Sequence, residues 1–188
     1  AGAGRCPAEG CGAGEGAAAA ADPGAAVVEV EKVPPPPLPP PPQWREDLAR
    51  LLGARPRRLG TWAELGLYGA RSCLDAAGLS VLPPGAMVCV GSLSGSESAT
   101  HATAAQSRDG LPLPFGFLQS QSSQLLAALG QWLQWEGEGC SLTHRQPARA
   151  WRLAQREAAQ AQASGLLLGQ VEETGDRLAG RWWWLVRD

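Results

Sequence analysis

The side chains able to do covalent or metal chemistry are few in this sequence of 188 residues: two histidines, His101 and His144, and five cysteines. A thiol and an imidazole held together can act as nucleophile and base, and Cys140 lies four residues ahead of His144. Cys140, however, belongs to a short strand-like run, where a thiol behaves as a small buried hydrophobe. His101 falls in a polar stretch and is expected to be exposed, whereas His144 is expected to be a satisfied structural residue. The run Gly91-Ser92-Leu93-Ser94-Gly95 has the outline of a hydrolase elbow, but its central position is leucine where that chemistry needs the serine. Cys6 and Cys11 are spaced like two metal ligands, yet two further ligands are missing nearby. No phosphate-loop motif and no zinc-ligand spacing is present, so no cofactor and no metal are expected.

Charge narrows the partners. Sixteen basic residues face 18 acidic ones, and all the basic residues but Lys32 are arginine. Nucleic-acid binding needs a basic excess or a basic face, so no nucleic acid is expected. No apolar run reaches the roughly 18 residues that a membrane helix requires. The Ala/Gly-rich start has neither the basic head nor the apolar centre of a secretory signal. With an odd number of cysteines, reduced thiols and a cytoplasmic location are the simplest expectation.

The elements that must position these residues follow from pattern. Residues 1–24 are low-complexity Gly/Ala and are expected to form a disordered tail; residues 25–188 are expected to form one domain. Residues 33–42 hold eight prolines and must run extended, close to polyproline II, as a ligand for a proline-recognising domain or as a stiff surface connector. Helices are expected over 43–52, 61–77, 119–135 and 147–163. The second opens on a capping box made by Thr61 and Glu64, with Leu65, Tyr68, Ser72 and Ala76 on one face; the last has Pro147 in its first turn. Strands are expected over 25–31, 86–91, 139–143, 166–171 and 181–186, and a polar loop over 92–114. Strands alternating with helices predict an α/β fold.

The order of short motifs carries a resemblance. Arg57-Arg58-Leu59 leads into a helix that ends at Ala76-Ala77-Gly78. Val88-Cys89-Val90-Gly91-Ser92 then leaves a strand, followed by Pro114-Phe115 and a Gln/Ser-rich helix. Thr143 precedes the next helix, and Gly169-Gln170-Val171-Glu172 ends the next strand. Over residues 25–188 this resembles the N-terminal half of the β-ketoacyl synthases, which have the thiolase fold. The nearest subtype is the short chain-length-factor-like subunit of aryl polyene and related type II polyketide systems, whose proline- and arginine-rich start is similar to residues 34–58. The resemblance implies half of a thiolase-like fold, with one mixed five-stranded sheet and helices packed on its faces.

Matching Gly169-Gln170-Val171-Glu172 to the family's Gly-Gly-x-Glu runs without a gap back through the preceding helix. Ala154 then falls where the family regularly has alanine, and His144 where it has its nucleophilic cysteine. Gln170 replaces the second glycine, and Gln or Ser stands where an asparagine is often seen before the helix at Gln119. An imidazole cannot carry an acyl thioester, and the family's two catalytic histidines lie in its second half. The resemblance thus implies a non-enzymatic subunit that forms a heterodimer with an active ketosynthase in polyketide or fatty-acid-like biosynthesis. In the resembling dimers the strand before the nucleophile pairs across the interface; here that strand is Cys140, Ser141, Leu142 and Thr143. Trp132 and Trp135, just before it, are interface anchors or ordinary core.

Helical phase, at 100° per residue, places Pro147, Ala150, Trp151, Ala154, Ala158 and Ala161 on one face of the last helix and Arg145, Arg149, Arg152 and Arg156 on the other. Burying that arginine stripe without partners would cost several kcal/mol for each charge. It is therefore a solvated face or a docking face for an acyl carrier protein or partner subunit, since the planar guanidinium pairs with carboxylate and phosphate. In the last strand Trp182 and Trp184 point to one side and Trp183 to the other, as core on both faces, as a wall for an acyl or polyene chain, or as a membrane-surface contact. Two other readings stand beside the partner subunit: a stand-alone acyl-carrier or hydrophobic-ligand binding module, and an enzyme with Cys140 or Ser94 as nucleophile.

Overall fold

Four apolar runs pair into one mixed sheet: β1 (Met87–Ser92), β2 (Gly139–Thr143), β3 (Gly165–Thr174) and β4 (Arg177–Val186), in the order β2-β1-β3-β4. The computed structural model describes residues 35–110 and 113–186. β1 runs parallel to both β2 and β3, while β4 returns antiparallel to β3. The expected fifth strand, 25–31, lies outside the described residues, as do the tail 1–24, Cys6 and Cys11; the sheet of the described residues has four strands, not five. β1 is buried at all six positions and β3 at nine of its ten, the signature of strands covered on both faces.

Two helical layers do the covering. α2 (Thr61–Ala76) and α5 (Ser123–Leu133) lie on one face, and their Trp62, Leu67, Leu74, Leu125 and Leu129 pack on Val88, Leu167 and Trp182. The Trp62 indole N–H also donates to the Val171 carbonyl at 3.0 Å, so this large ring is buried without an unpaired donor. α6 (Pro147–Gln160) covers the other face, with Trp151, Ala154 and Ala158 against Met87, Cys89, Leu166 and Leu168. α1 (Trp44–Leu52) packs beside α2, with Trp44 and Leu48 buried.

Several boundaries differ from the sequence expectation. The region 92–114 is not a continuous loop, because α3 (Glu97–Arg108) forms within it; α4 (Pro114–Gln119) follows. α3 buries none of its residues fully, so it carries no apolar period to read. α5 is shorter than the expected 119–135, since α4 and a turn take up its first residues. There is no capping box at α2. Gly60 is the N-cap, Thr61 is already helical, and the Glu64 carboxylate accepts from Arg45 Nε at 3.1 Å instead. The buried face of α2 is broader than the expected stripe, with Tyr68 and Ser72 half-buried and Ala76 exposed. β3 and β4 extend beyond 166–171 and 181–186 because pairs with a polar member, such as Glu173 with Leu178 and Thr174 with Arg177, continue the ladder. Their two-residue turn places Gly175 at φ +57°, the first turn position that a type II′ hairpin gives to glycine.

The proline run finds a use at one sheet edge. Between residues 34 and 42 only Leu38 has a backbone N–H. It donates to the Gly180 carbonyl at 3.2 Å, and Gly180 N–H returns to the Leu38 carbonyl at 2.8 Å. The outer side of β4 is thus partly covered by a segment that has no further donors to offer.

Candidate functional site at the carboxyl ends of the parallel strands

β1, β2 and β3 are mutually parallel through β1, so their carboxyl ends lie together, where open α/β sheets place their ligands. Ser92, His144, Gln170 and Glu172 meet there. His144 N–H donates to the Ser92 carbonyl at 3.0 Å and so extends the β1–β2 ladder by one residue. Its Nδ1 accepts from the Gln146 N–H at 2.7 Å, which in the neutral ring leaves the proton on Nε2. Gln146 is the N-cap of α6 and Pro147 its first residue. The imidazole therefore sits folded against the head of α6. With Gly91, Ser92, Pro147, Ala150, Trp151, Gln170 and Glu172 it lines a recess with room for about one water molecule. The Trp151 indole N–H is buried without a partner beside these residues.

Two buried carboxylates hold the strand ends. Glu172 accepts from Leu93 N–H at 2.8 Å, from Ser92 Oγ at 3.2 Å and from Gln170 Nε2 at 3.3 Å. Glu173 accepts from Ser98 Oγ at 2.6 Å, and its carbonyl accepts from Ser94 Oγ at 2.9 Å. Ser94 is thereby committed to fastening the β1–α3 turn to β3. His101 is exposed on α3, and no hydrogen bond joins it to His144.

Cys140 is not at the head of a helix. It lies on β2 opposite Cys89 of β1, with their sulfurs 2.6 Å apart. Either thiol can donate to the other; the hydrogen bond they share and burial raise Cys89, and the same hydrogen bond lowers Cys140. Burial pushes up the half-buried Cys73 thiol on α2.

β2 is an edge strand, and nothing among the described residues pairs with its outer side. Val88 N–H donates to Glu138 O, and His144 N–H to Ser92 O, each at 3.0 Å. In a parallel ladder a residue turns both backbone groups to one neighbour, and the next residue turns both away. Residues 138, 140, 142 and 144 therefore bond β1, and Gly139, Ser141 and Thr143 present their N–H and C=O groups outward. Leu142 is half-buried on the face of α6. Trp132 and Trp135 are half-buried against the core, and the Trp135 indole N–H donates to the Ala86 carbonyl at 2.9 Å, a strut across the start of β1.

Arg145, Arg149, Arg152 and Arg156 are all exposed, while Ala150, Trp151, Ala154 and Ala158 are buried. Among the described residues no carboxylate pairs with these four guanidinium groups. Trp182 and Trp184 pack under α2 and α5, and Trp183 meets Trp151 edge-on at 4.2 Å. Trp182 is wedged between Gly69 and Gly169; a Cβ on Gly169 would lie 2.6 Å from its ring.

The sequence reading passed over one surface. Leu113, Phe115, Phe117 and Leu118, on and beside α4, are each more than half exposed, and the Arg58 guanidinium lies 5.0 Å above the Phe115 ring. The signal was available, because the two phenylalanines of the chain both fall in the run Pro114 to Leu118. Among the described residues no helix is long and apolar enough to cross a membrane.

No protein-family model matches the chain, and neither does any curated protein. Solved structures do. The ishigamide ketosynthase/chain length factor superposes with a TM-score of 0.54 at 15% identity, over 68% of this chain and 34% of that one. The ketosynthase ApeO in complex with its chain length factor ApeC, from Xenorhabdus doucetiae, superposes with a TM-score of 0.59 at 14% identity, over 82% of this chain and 75% of that one. This chain thus spans about a third of the first and three quarters of the second. At such identities the shared property is the fold: a mixed α/β, thiolase-like arrangement found in ketosynthase and chain-length-factor proteins.

Proposed function

We propose that this chain is a non-catalytic, chain-length-factor-type subunit that pairs with an active ketosynthase in polyketide or fatty-acid-like biosynthesis. The observation that carries the reading is the outer edge of β2, which offers three outward residues directly ahead of an α6 head occupied by His144. An open strand edge is a template for another strand. The imidazole stands where a synthase would need a thiolate, so the acyl chemistry falls to the partner. The fold supports the same reading, because both similar structures are of ketosynthases with chain length factors. The arginine face of α6 is available to an acidic carrier protein or to the partner.

The test is co-expression with a ketosynthase from the same source, followed by size-exclusion chromatography. A 1:1 complex that condenses acyl groups through the synthase's own cysteine is expected. A chain that elutes alone at micromolar concentration, or that carries an acyl adduct itself, contradicts the proposal.

A further inference from the structure

Two cysteines face each other across the first two strands, and one of them, Cys140, lies on the edge strand that the partner-subunit reading places at the interface. Cys89 and Cys140 are Cα partners in adjacent parallel strands. Neighbouring strands lie about 4.8 Å apart, inside the Cα separation of roughly 4.4–6.8 Å that a disulfide spans without backbone movement. Both side chains point to the α6 face, among Met87, Trp151 and Ala154. Their sulfurs are 2.6 Å apart, inside the contact distance of two unbonded sulfurs and about half an ångström beyond a disulfide bond length.

We propose that Cys89 and Cys140 form a dithiol site that a small-molecule disulfide oxidises to an intramolecular disulfide, tying edge strand β2 to β1. The two thiols have different roles. Cys89 is 0% exposed and cannot meet an outside reagent, whereas Cys140 is half-buried on the edge strand. The hydrogen bond with Cys89 also lowers the Cys140 thiol, which favours its thiolate. The carboxylate of Glu157 on α6 acts on both sulfurs in the opposite sense.

The exchange has two steps. The Cys140 thiolate attacks one sulfur of the oxidant, whose S–S bond breaks. The first small thiolate leaves and takes up the proton that Cys140 gave to solvent. Cys89 then attacks Cys140 Sγ, the mixed disulfide breaks, and the second small thiolate leaves with the Cys89 proton. Two protein thiols are oxidised and one small disulfide is reduced to two thiols. Cys73 lies on α2, against the opposite face of the sheet, and takes no part.

The experiment uses the full chain with Cys6→Ser, Cys11→Ser and Cys73→Ser, equilibrated with oxidised glutathione, alkylated with N-ethylmaleimide and weighed by mass spectrometry. The expected product takes up no maleimide, carries no glutathione and has lost two hydrogens, with its two cysteine peptides linked. In the same background Cys89→Ser is expected to stop at the glutathione adduct of Cys140. If the triple variant fails to fold, peptide mapping of the oxidised natural sequence reads the same link. Two free thiols after exposure that oxidises the guanidine-unfolded chain would overturn the proposal. A Cys140–glutathione adduct that persists while Cys89 is present would overturn it too. The measurement needs no ketosynthase, so its outcome is independent of the partner assignment.

Discussion

Position 144 shows how a single side chain sets the chemistry that this site can support. The imidazole is fixed on both sides, its backbone to Ser92 and its Nδ1 to Gln146, and it lies at the head of α6. His144→Cys is expected to restore an acylatable thiol there. Incubation with an acyl thioester should add one acyl group to that variant and none to the natural chain. Labelling of Cys140 in both proteins would disprove this placement. Glu172 has a structural task beside it. Glu172→Ala would leave the Leu93 N–H without its acceptor, so a loss of about 1–3 kcal/mol is expected in denaturant unfolding. The sequence showed this glutamate as an alignment anchor but not its work, because its partners Ser92 and Leu93, at the end of β1, are about 80 residues away in the chain.

Among the elements, α6 was the most legible. Its apolar and arginine faces are separated by sequence period alone, and burial follows that division at Ala150, Trp151, Ala154 and Ala158, whereas Pro147 is half-buried and Ala161, which caps the helix end, is exposed. Trp151→Ala should therefore cost about 3–5 kcal/mol, while Arg152→Ala and Arg156→Ala should each stay within about 0.5 kcal/mol; comparable losses would mean that the stripe is buried. The three consecutive tryptophans were legible for the same reason, since a strand's period of two assigns Trp183 to one face and its neighbours to the other. α3 was illegible because its sequence, ESATHATAAQSR, has no apolar stripe and its helix is anchored at the edges, by Ser98 to Glu173 and by Glu97 to Gly175. The capping box failed because Arg45, from a helix 16 residues earlier, captures both Glu64 and Thr61. That competition is tertiary and leaves no local trace. The proline run meets β4 only at Leu38, and its end at Pro42 already turns into α1; that place on β4 depends on the one N–H that prolines spare. Leu38→Pro removes that donor. It should speed hydrogen exchange at Gly180 and cost about 1 kcal/mol, with little packing lost, because the Leu38 side chain is 55% exposed.

At the scale of the whole molecule, the two edges of the sheet are treated differently. β4 is partly covered by the chain's own extended segment, whereas the outer side of β2 carries no cover among the described residues. The sequence could indicate the strand but not its position at an edge, since strand order is a property of the assembled sheet. That asymmetry is what the partner-subunit reading depends on. Ser141→Pro tests it most directly, because Ser141 turns its N–H away from β1 and proline deletes that donor while leaving the inner ladder whole. The deciding measurement is native mass spectrometry of the ketosynthase mixed with the natural chain and with Ser141→Pro, each chain first shown to melt within a few degrees of the other. The account predicts a 1:1 heterodimer for the natural chain and a loss of at least about tenfold in affinity for the variant, roughly the worth of one strong backbone hydrogen bond. Equal pairing by the two chains, or pairing by neither, would contradict it.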